Sequence, residues 1–154
     1  MDETGIDNRS CYRKHAWSKR GEKIYTENLT GKEYIRTSII GGLRYKKPTA
    51  TFSFIGNTNT EIFNFWVEYC LCPVLEKDDV VIIDNAKIHK SPKAKELIES
   101  KGAIIKFLPP YSPFLNKIEF YWAFIKKMIG VMREKYDKFI DCLDAVFRLK
   151  YGTE

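Results

Sequence analysis

The chain has 154 residues and a net charge of +6, and apolar residues make up 44% of it and aromatic residues 14%. This length predicts a single domain over residues 1–154, and the apolar content excludes wholesale disorder. No apolar run approaches the roughly 18 residues of a membrane span, and the polar, acidic N-terminus does not have the character of a signal peptide. These properties predict a globular protein of the cytoplasm with no membrane partner.

The charge is distributed unevenly along the chain. Residues 1–50 carry a net charge of +5, residues 51–100 carry −3 and residues 101–154 carry +4. A basic chain with an acidic middle is consistent with a protein that binds a polyanion and keeps a local cluster of carboxylates. The cysteines have no zinc-type spacing and are interpreted as free thiols: they are Cys11, Cys70, Cys72 and Cys142.

The first third of the chain predicts a loop followed by a β-hairpin and a helix. The polar residues 7–33 predict at most one short strand, near Tyr12–Trp17. Residues 34–45 and 49–55 are rich in β-branched and aromatic residues, which indicates a hairpin with Lys46-Lys47-Pro48 between its strands. Thr60 is placed to cap the next helix. That helix carries an apolar stripe at helical spacing: Phe63, Trp66, Val67, Cys70 and Leu71.

Alternating strands and helices follow. The unbroken apolar run at 79–83 predicts a strand buried on both faces. Ser91-Pro92 predicts a helix start and Gly102 its end, and residues 103–108 predict another strand. A long helical region begins near Leu115. Its two apolar stripes are Ile118, Trp122, Ile125 and Ile129, then Phe139, Leu143, Val146 and Phe147. The order β-β-α-β-α-β-α-α predicts a mixed α/β sheet with flanking helices.

Two acidic residues follow these elements at positions suited to chemistry. Asp84 comes directly after an apolar strand, at the sheet edge where α/β folds place their sites, although Asp-Asn there is also ordinary turn chemistry. Glu119 lies at the edge of the buried face of the last long helix, although Asn116-x-x-Glu119 also fits a capping box. Two carboxylates ~4 Å apart repel by about 4 kcal/mol at an effective dielectric near 20, so such a pair needs a cation. Mg²⁺ fits best because it prefers oxygen ligands.

Two segments carry a resemblance to a known family. They are VVIIDNAKIHKS at residues 80–91 and FLPPYSPFLNKIEFYWAFIK at residues 107–126. They resemble the catalytic domain of DDE transposases, specifically the mariner-like superfamily and its bacterial insertion-sequence branch. The matching pattern is Asp-Asn after a strand, then Pro-Tyr-Ser-Pro-x-x-Asn-x-Ile-Glu at a helix start. Between Asp84 and Glu119 lie 34 residues, the spacing of this branch.

Other segments extend the resemblance over essentially the whole chain. The opening Asp2-Glu3-Thr4-Gly5 is similar to the first acidic motif of the family, although acids this near a terminus also fit a solvated tail. Residues 17–22 and 54–59 resemble two further family blocks. The family carries Asp and Pro where this chain has Phe114 and Lys117.

The resemblance implies a ribonuclease H-like fold and a catalytic triad, Asp2, Asp84 and Glu119, that binds two Mg²⁺ or Mn²⁺ ions. Such a site cleaves and joins DNA strands at transposon ends, with the two ions about 3.5–4 Å apart and no covalent protein–DNA intermediate. The implied partners are double-stranded DNA and, in the active state, a second copy of the chain.

Further residues are predicted to support the triad or to contact DNA. Asn85, His89 and Asn116 lie in the matching segments as supporting residues, and a locally hydrogen-bonded helix-entry residue is the alternative for His89. Basic residues interleaved with aromatic ones suit the DNA backbone, although such a run also fits a solvated surface. The predicted DNA-contacting residues are Arg9, Arg13, Lys14, Lys19, Arg20, Lys23, Lys90, Lys126 and Lys127.

The start of the chain shapes the expected activity. Only Met1 precedes the first acid, so most of the first, central strand and the upstream helix-turn-helix region of the family are expected to be absent. This expectation predicts weak or no activity for the chain alone. Two alternatives stay open, namely an inactive remnant that only binds nucleic acid or a partner transposase, and a different metal nuclease such as a ribonuclease.

Overall fold

A computed structural model describes residues 1–7, 18–22, 35–110 and 112–151. The predicted strand near Tyr12–Trp17 and the thiol of Cys11 lie outside these residues. The described elements are β1 (Asp2–Asp7), β2 (Arg36–Arg44), β3 (Lys47–Ile55), α1 (Thr60–Trp66), β4 (Val80–Ile83), α2 (Pro92–Ser100), β5 (Ile104–Phe107), α3 (Ile118–Met132) and α4 (Phe139–Tyr151). Of the helices in these ranges, none is long and apolar enough to cross a membrane.

Short helical turns complete the description. A π-helical turn at Val67–Leu71 and a 3₁₀ turn at Cys72–Val74 continue α1. Further 3₁₀ turns are Lys87–Lys90, Pro113–Leu115 and Arg133–Lys135.

The described strands form two hydrogen-bonded sheets. β1, β2 and β3 are antiparallel in that order, with Asp2 opposite Gly41 and Thr37 opposite Ile55. β4 and β5 form a parallel pair. The two sheets meet where the ammonium group of Met1 donates a 2.7 Å hydrogen bond to the carbonyl oxygen of Ile82. The start of β1 therefore lies beside the end of β4.

The predicted hairpin is formed by β2 and β3. Tyr45 and Lys46 have φ values of 50° and 66°, the left-handed conformation that two-residue hairpin turns require. β3 begins at Lys47, so the turn is shorter than the predicted Lys-Lys-Pro separator.

The first strand is present from Asp2 onward. Its six residues all pair with β2, and its buried positions alternate at Asp2, Thr4 and Ile6. Propensity does not indicate this strand, because Asp, Glu and Gly, which are depleted in strands, make up four of its six residues. The first acid is thus the first residue of β1.

The prediction that β4 is buried on both faces is wrong. Val81 and Ile83 are buried, whereas Val80 and Ile82 are each 47% exposed. The reason is that the buried cluster of α3 and α4 includes residues of β1 and β2 but none of β4 or β5. Only one face of β4 is covered by described residues.

Two apolar clusters lie on opposite sides of the antiparallel sheet. On one side, Ile40 of β2 joins a cluster built from α1, β4 and α2, including Phe63 and Trp66. On the other side, Ile39 joins a cluster from α3 and α4, including Trp122. Adjacent residues of one strand face opposite sides, so β2 is buried from both. The apolar stripes of α3 and α4 both contribute to the second cluster, as their helical spacing predicts.

The N-cap residues of α1 and α2 are the ones whose side chains accept a hydrogen bond from the first turn of the helix. Ser91 caps α2 and Pro92 is its first residue, as predicted. The prediction for α1 is wrong by one residue. Asn59 is the N-cap, its Oδ1 accepts a 2.8 Å hydrogen bond from the N–H of Ile62, and Thr60 is the first helical residue.

The described thiols are free, as predicted. Cys72 and Cys142 are buried and Cys70 is half-buried. Burial raises the pKa of all three thiols, which keeps them protonated and unreactive.

Candidate active site

One cleft of about 390 Å³ receives side chains from four separate parts of the chain. They are the start of β1, the loop after β4, the loop after β5 and the start of α3. The lining residues are Asp2, Asp84, Asn85, Ala86, Leu108, Pro109, Pro110, Ser112, Asn116 and Glu119. The structure therefore brings together the three acids that the sequence singles out, along with two of the three supporting residues.

Asp2 is the most buried acid of the cleft, with 7% of its surface exposed. Its Oδ1 accepts a 2.8 Å hydrogen bond from the N–H of Glu3, and its Oδ2 accepts one of 3.1 Å from Asn116. Burial is the main cause that raises the pKa of Asp2 from 3.8 to about 7. The N–H of Glu3 opposes the shift, and the charges of Glu3, Glu119 and Asp84 add to it.

Asp84 follows β4 directly and lies at the mouth of the cleft, with 45% of its side chain exposed. Its Oδ1 accepts a 3.0 Å hydrogen bond from the N–H of Ala86, which is the turn chemistry expected of Asp in this place. The same oxygen lies 2.5 Å from Nδ1 of His89. Asp84 therefore both stabilises the turn after β4 and lines the cleft.

The capping-box interpretation of Asn116 and Glu119 is wrong. Lys117 precedes the first residue of α3, and no side chain caps the helix. Asn116 is 5% exposed, and its Nδ2 donates to Asp2 in the cleft. Glu119 is exposed in the first turn of α3 and lines the cleft. The polar side chains at this helix start therefore face the cleft.

His89 is fully buried beneath the cleft, 1% exposed, with its ring centroid 4.8 Å from that of Phe63. Its Nδ1 contacts Asp84, and its Nε2 lies 2.9 Å from Oε2 of Glu3. Burial opposes protonation of His89, but hydrogen bonds and charges from Glu3 and Asp84 outweigh it and raise the pKa. Its side chain thus bridges two distant carboxylates, which the interpretation as a locally bonded helix-entry residue does not describe.

Glu3 is a site residue that sequence reasoning missed. It follows Asp2 in β1, and adjacent strand residues face opposite sides, so only one of the two lines the cleft. The signal available in the sequence is the Asp-Glu pair of the opening motif.

The charged residues that line the cleft are all acidic. Within the described ranges, no Lys or Arg side chain lines it. Nor do the described residues contain three His, Cys, Asp or Glu side chains already arranged to hold a metal ion. The three acids share the cleft without converging on one point. As a donor set they are hard oxygen ligands of the type that Mg²⁺ and Mn²⁺ bind, so their chemistry fits such ions.

Five of the predicted DNA-contacting residues fall in the described part of the chain and four fall outside it. Those that the structure describes are all exposed: Lys19, Arg20, Lys90, Lys126 and Lys127. Arg9, Arg13, Lys14 and Lys23 fall outside the described residues. On α3, Trp122 and Tyr121 are buried, whereas Phe120 is 71% exposed.

Known proteins resemble this chain in fold and in sequence family. The catalytic core domain of BIV integrase, in its crystal form I, superposes with a TM-score of 0.51 over 79% of this chain and 77% of the integrase domain, at 10% sequence identity. This similarity shows that the mixed α/β fold is ribonuclease H-like, as predicted. No curated protein matches the sequence. The profile of the DDE superfamily endonucleases matches residues 1–143, and the chain therefore belongs to that family.

Proposed function

We propose that this chain is the catalytic domain of a DNA transposase of the mariner-like, bacterial insertion-sequence branch. It cleaves DNA strands at transposon ends and joins them to target DNA with the help of Mg²⁺ or Mn²⁺. The observation that carries the proposal is the shared cleft of Asp2, Asp84 and Glu119, three acids from separate elements in a DDE endonuclease.

The charge of the cleft argues for divalent cations. A phosphodiester is an anion, and the described lining of the cleft offers it carboxylates and no basic side chain. Cations are therefore required before the DNA backbone can approach. Asp2, Asp84 and Glu119 would hold them, and the bound ions would supply Lewis-acid activation of the attacking hydroxyl and charge stabilisation of the leaving oxygen.

The surrounding residues hold the acids in place. Asn116 and the N–H of Glu3 each bond one oxygen of Asp2, which fixes the orientation of this carboxylate. The N–H of Ala86 anchors Asp84, and Asn85 lines the cleft beside it. These hydrogen bonds limit the orientations that the carboxylates of Asp2 and Asp84 can adopt before a cation binds.

DNA would approach over the exposed basic residues. Lys90 lies in the turn that follows Asp84, and Lys126 and Lys127 lie about two turns along α3 from Glu119. Their charges, with those of Lys19 and Arg20 and of the predicted Arg9, Arg13, Lys14 and Lys23, suit the phosphate backbone. We propose that a homodimer in the bacterial cytoplasm brings two transposon ends together.

A plasmid-nicking assay tests the proposal. Because β1 is formed and places Asp2 in the cleft, the purified chain is expected to nick supercoiled DNA weakly with Mg²⁺ or Mn²⁺ and to lose this activity in EDTA. Asp84→Asn and Glu119→Gln should lower the rate by about 100-fold or more, because each removes an anionic ligand from the site. DNA binding, measured by fluorescence anisotropy, should be retained by both variants. Glu96→Gln, on the exposed face of α2, is the matched control and should nick like the wild type.

The outcomes separate the proposal from its alternatives. Nicking that persists in EDTA or in Asp84→Asn would refute the proposed site. DNA binding by the wild type without any nicking would favour a remnant that binds nucleic acid without catalysis. Cleavage of RNA in preference to DNA would favour a ribonuclease of the same fold.

A further inference from the structure

We propose that Glu3 is a positioning residue for the carboxylate of Asp84 and that it acts through the imidazole of His89. This inference rests on the proposed metal-binding role of Asp84 and adds a residue with no place in the predicted triad. Glu3 and Asp84 lie on opposite sides of one buried ring.

The geometry of the bridge fixes the ring completely. Nδ1 of His89 lies 2.5 Å from Oδ1 of Asp84, and Nε2 lies 2.9 Å from Oε2 of Glu3. Both ring nitrogens are therefore engaged by carboxylates. The ring is 1% exposed and packs against Phe63, so the imidazole cannot rotate without breaking a hydrogen bond or a packing contact.

A fixed ring determines which oxygen of Asp84 is available to a cation. Oδ1 is engaged twice, by His89 and by the N–H of Ala86 at 3.0 Å. Within the described part of the chain, Oδ2 makes no hydrogen bond, so it is the oxygen left for a ligand. A hydrogen-bonded partner that anchors one oxygen of a metal-binding carboxylate in this way also orients the other oxygen.

The bridge also connects the two sheets at the cleft. Glu3 is next to Asp2 in β1, and His89 lies in the turn that follows Asp84. A second described hydrogen bond, from the ammonium group of Met1 to the carbonyl oxygen of Ile82, links the start of β1 to β4 itself. Glu3 therefore helps to set the separation between the first and second acids of the cleft.

A purely structural role for Glu3 makes a different prediction. A buried contact that serves stability alone would change the free energy of unfolding and leave cation affinity unaltered. A positioning role changes the affinity for the cation itself. Substitutions of residues that hydrogen-bond to metal ligands typically lower metal affinity or activity by about 10–100-fold.

The test measures Mn²⁺ binding by isothermal titration calorimetry, on the full chain and without DNA. Glu3→Ala removes the acceptor for His89 and should raise the dissociation constant by about 10–100-fold. Glu3→Asp keeps the charge but shortens the side chain by one methylene, so it should also weaken binding. Glu96→Gln, which removes an exposed charge remote from the cleft, should bind like the wild type. Urea unfolding in EDTA gives the metal-free stability of each variant.

Each outcome decides the inference. Weaker Mn²⁺ binding by both Glu3 variants supports it, and Glu3→Asp alone carries the test if Glu3→Ala does not fold. Unchanged binding with lower metal-free stability would overturn it and assign a structural role. Weaker binding by Glu3→Ala but not by Glu3→Asp would also overturn it, because charge rather than position would then be the cause. A wild type that binds no Mn²⁺ would overturn the metal site as well, whereas failure of nicking with normal Mn²⁺ binding would affect only the proposed reaction.

Discussion

The carboxyl group of Asp2 is both buried and close to other acidic side chains. It is 7% exposed, it shares the cleft with Asp84 and Glu119, and its pKa rises to about 7. Between about pH 4 and pH 7 the folded chain therefore holds a proton that the unfolded chain has released. Above pH 7, the metal-free fold must keep a carboxylate charged in an acidic, poorly solvated place, which lowers its stability.

Replacing Asp2 by Asn should therefore stabilise the metal-free chain in a pH-dependent way. Because the pKa of Asp2 is raised in the folded chain, protonated Asp2 contributes stability at low pH, and this contribution is lost as pH rises through about 7. The Asn variant does not lose it, so its free energy of unfolding should exceed that of the wild type at high pH. We expect Asp2→Asn to be more stable by on the order of 2–4 kcal/mol at pH 8 and nearly equal to the wild type at pH 4. Urea unfolding in EDTA at the two pH values measures this difference.

His89 also makes the stability of the wild type fall as pH rises. Its pKa is raised, so its contribution to stability is complete below pH 6.5 and is lost above the folded pKa. It is present in both chains, so the comparison between Asp2→Asn and the wild type isolates Asp2. A variant that is no more stable than the wild type at pH 8 would show that the cleft solvates the Asp2 carboxylate well.

At the scale of elements, the start of α1 offers a direct check on helix capping. Asn59 accepts a hydrogen bond from the N–H of Ile62, whereas Thr60 is already helical. Asn59→Ala should therefore lower the free energy of unfolding by about 1 kcal/mol. Thr60→Ala, at the neighbouring exposed position, should change it by much less. Denaturant titration of the two variants distinguishes the caps, and a larger loss for Thr60→Ala would contradict the assignment.

The helices and strands with a repeating apolar pattern could be predicted from the sequence, whereas features that depend on tertiary contacts could not. The apolar stripes of α1, α3 and α4 and the hairpin of β2 and β3 repeat over many residues, so pattern and propensity agree there. β1 could not be predicted from its composition, because its strand pairing depends on contacts with β2. The exposed face of β4 depends on where α3 and α4 pack, which local sequence does not encode.

The same distinction applies to the site. Asp84 and Glu119 each lie next to a recognisable element, so their sequence positions predict a place at the edge of the sheet. The role of Asn116 depends on a contact with Asp2 across 114 positions of sequence. The link between Glu3 and His89 spans 86 positions. Hydrogen bonds of this range follow from how β1 packs beside the start of α3 and beside the turn after β4, and no local pattern indicates them.

At the scale of the whole molecule, the cleft lies where the two sheets meet. Asp2 starts β1, Asp84 directly follows β4, and α3 brings Glu119 from the far side of the antiparallel sheet. The cluster around Trp122 holds α3 against β1 and β2, and the cluster around Phe63 and Trp66 holds β4 and the His89 turn. The two cores therefore position different acids of one site. Their packing against opposite faces of β2 sets the geometry of the cleft.

The most direct test of the central claim is anomalous diffraction from crystals of this chain soaked in MnCl₂. We predict a manganese peak in the cleft, within metal–oxygen bonding distance, about 2.0–2.6 Å, of carboxylate oxygens of Asp2, Asp84 and Glu119. Crystals of Asp84→Asn under the same conditions should show a weaker peak or none. A cleft that stays free of manganese in the wild type, with saturating Mn²⁺ and well-ordered side chains, would contradict a metal-dependent nuclease site built from these three acids.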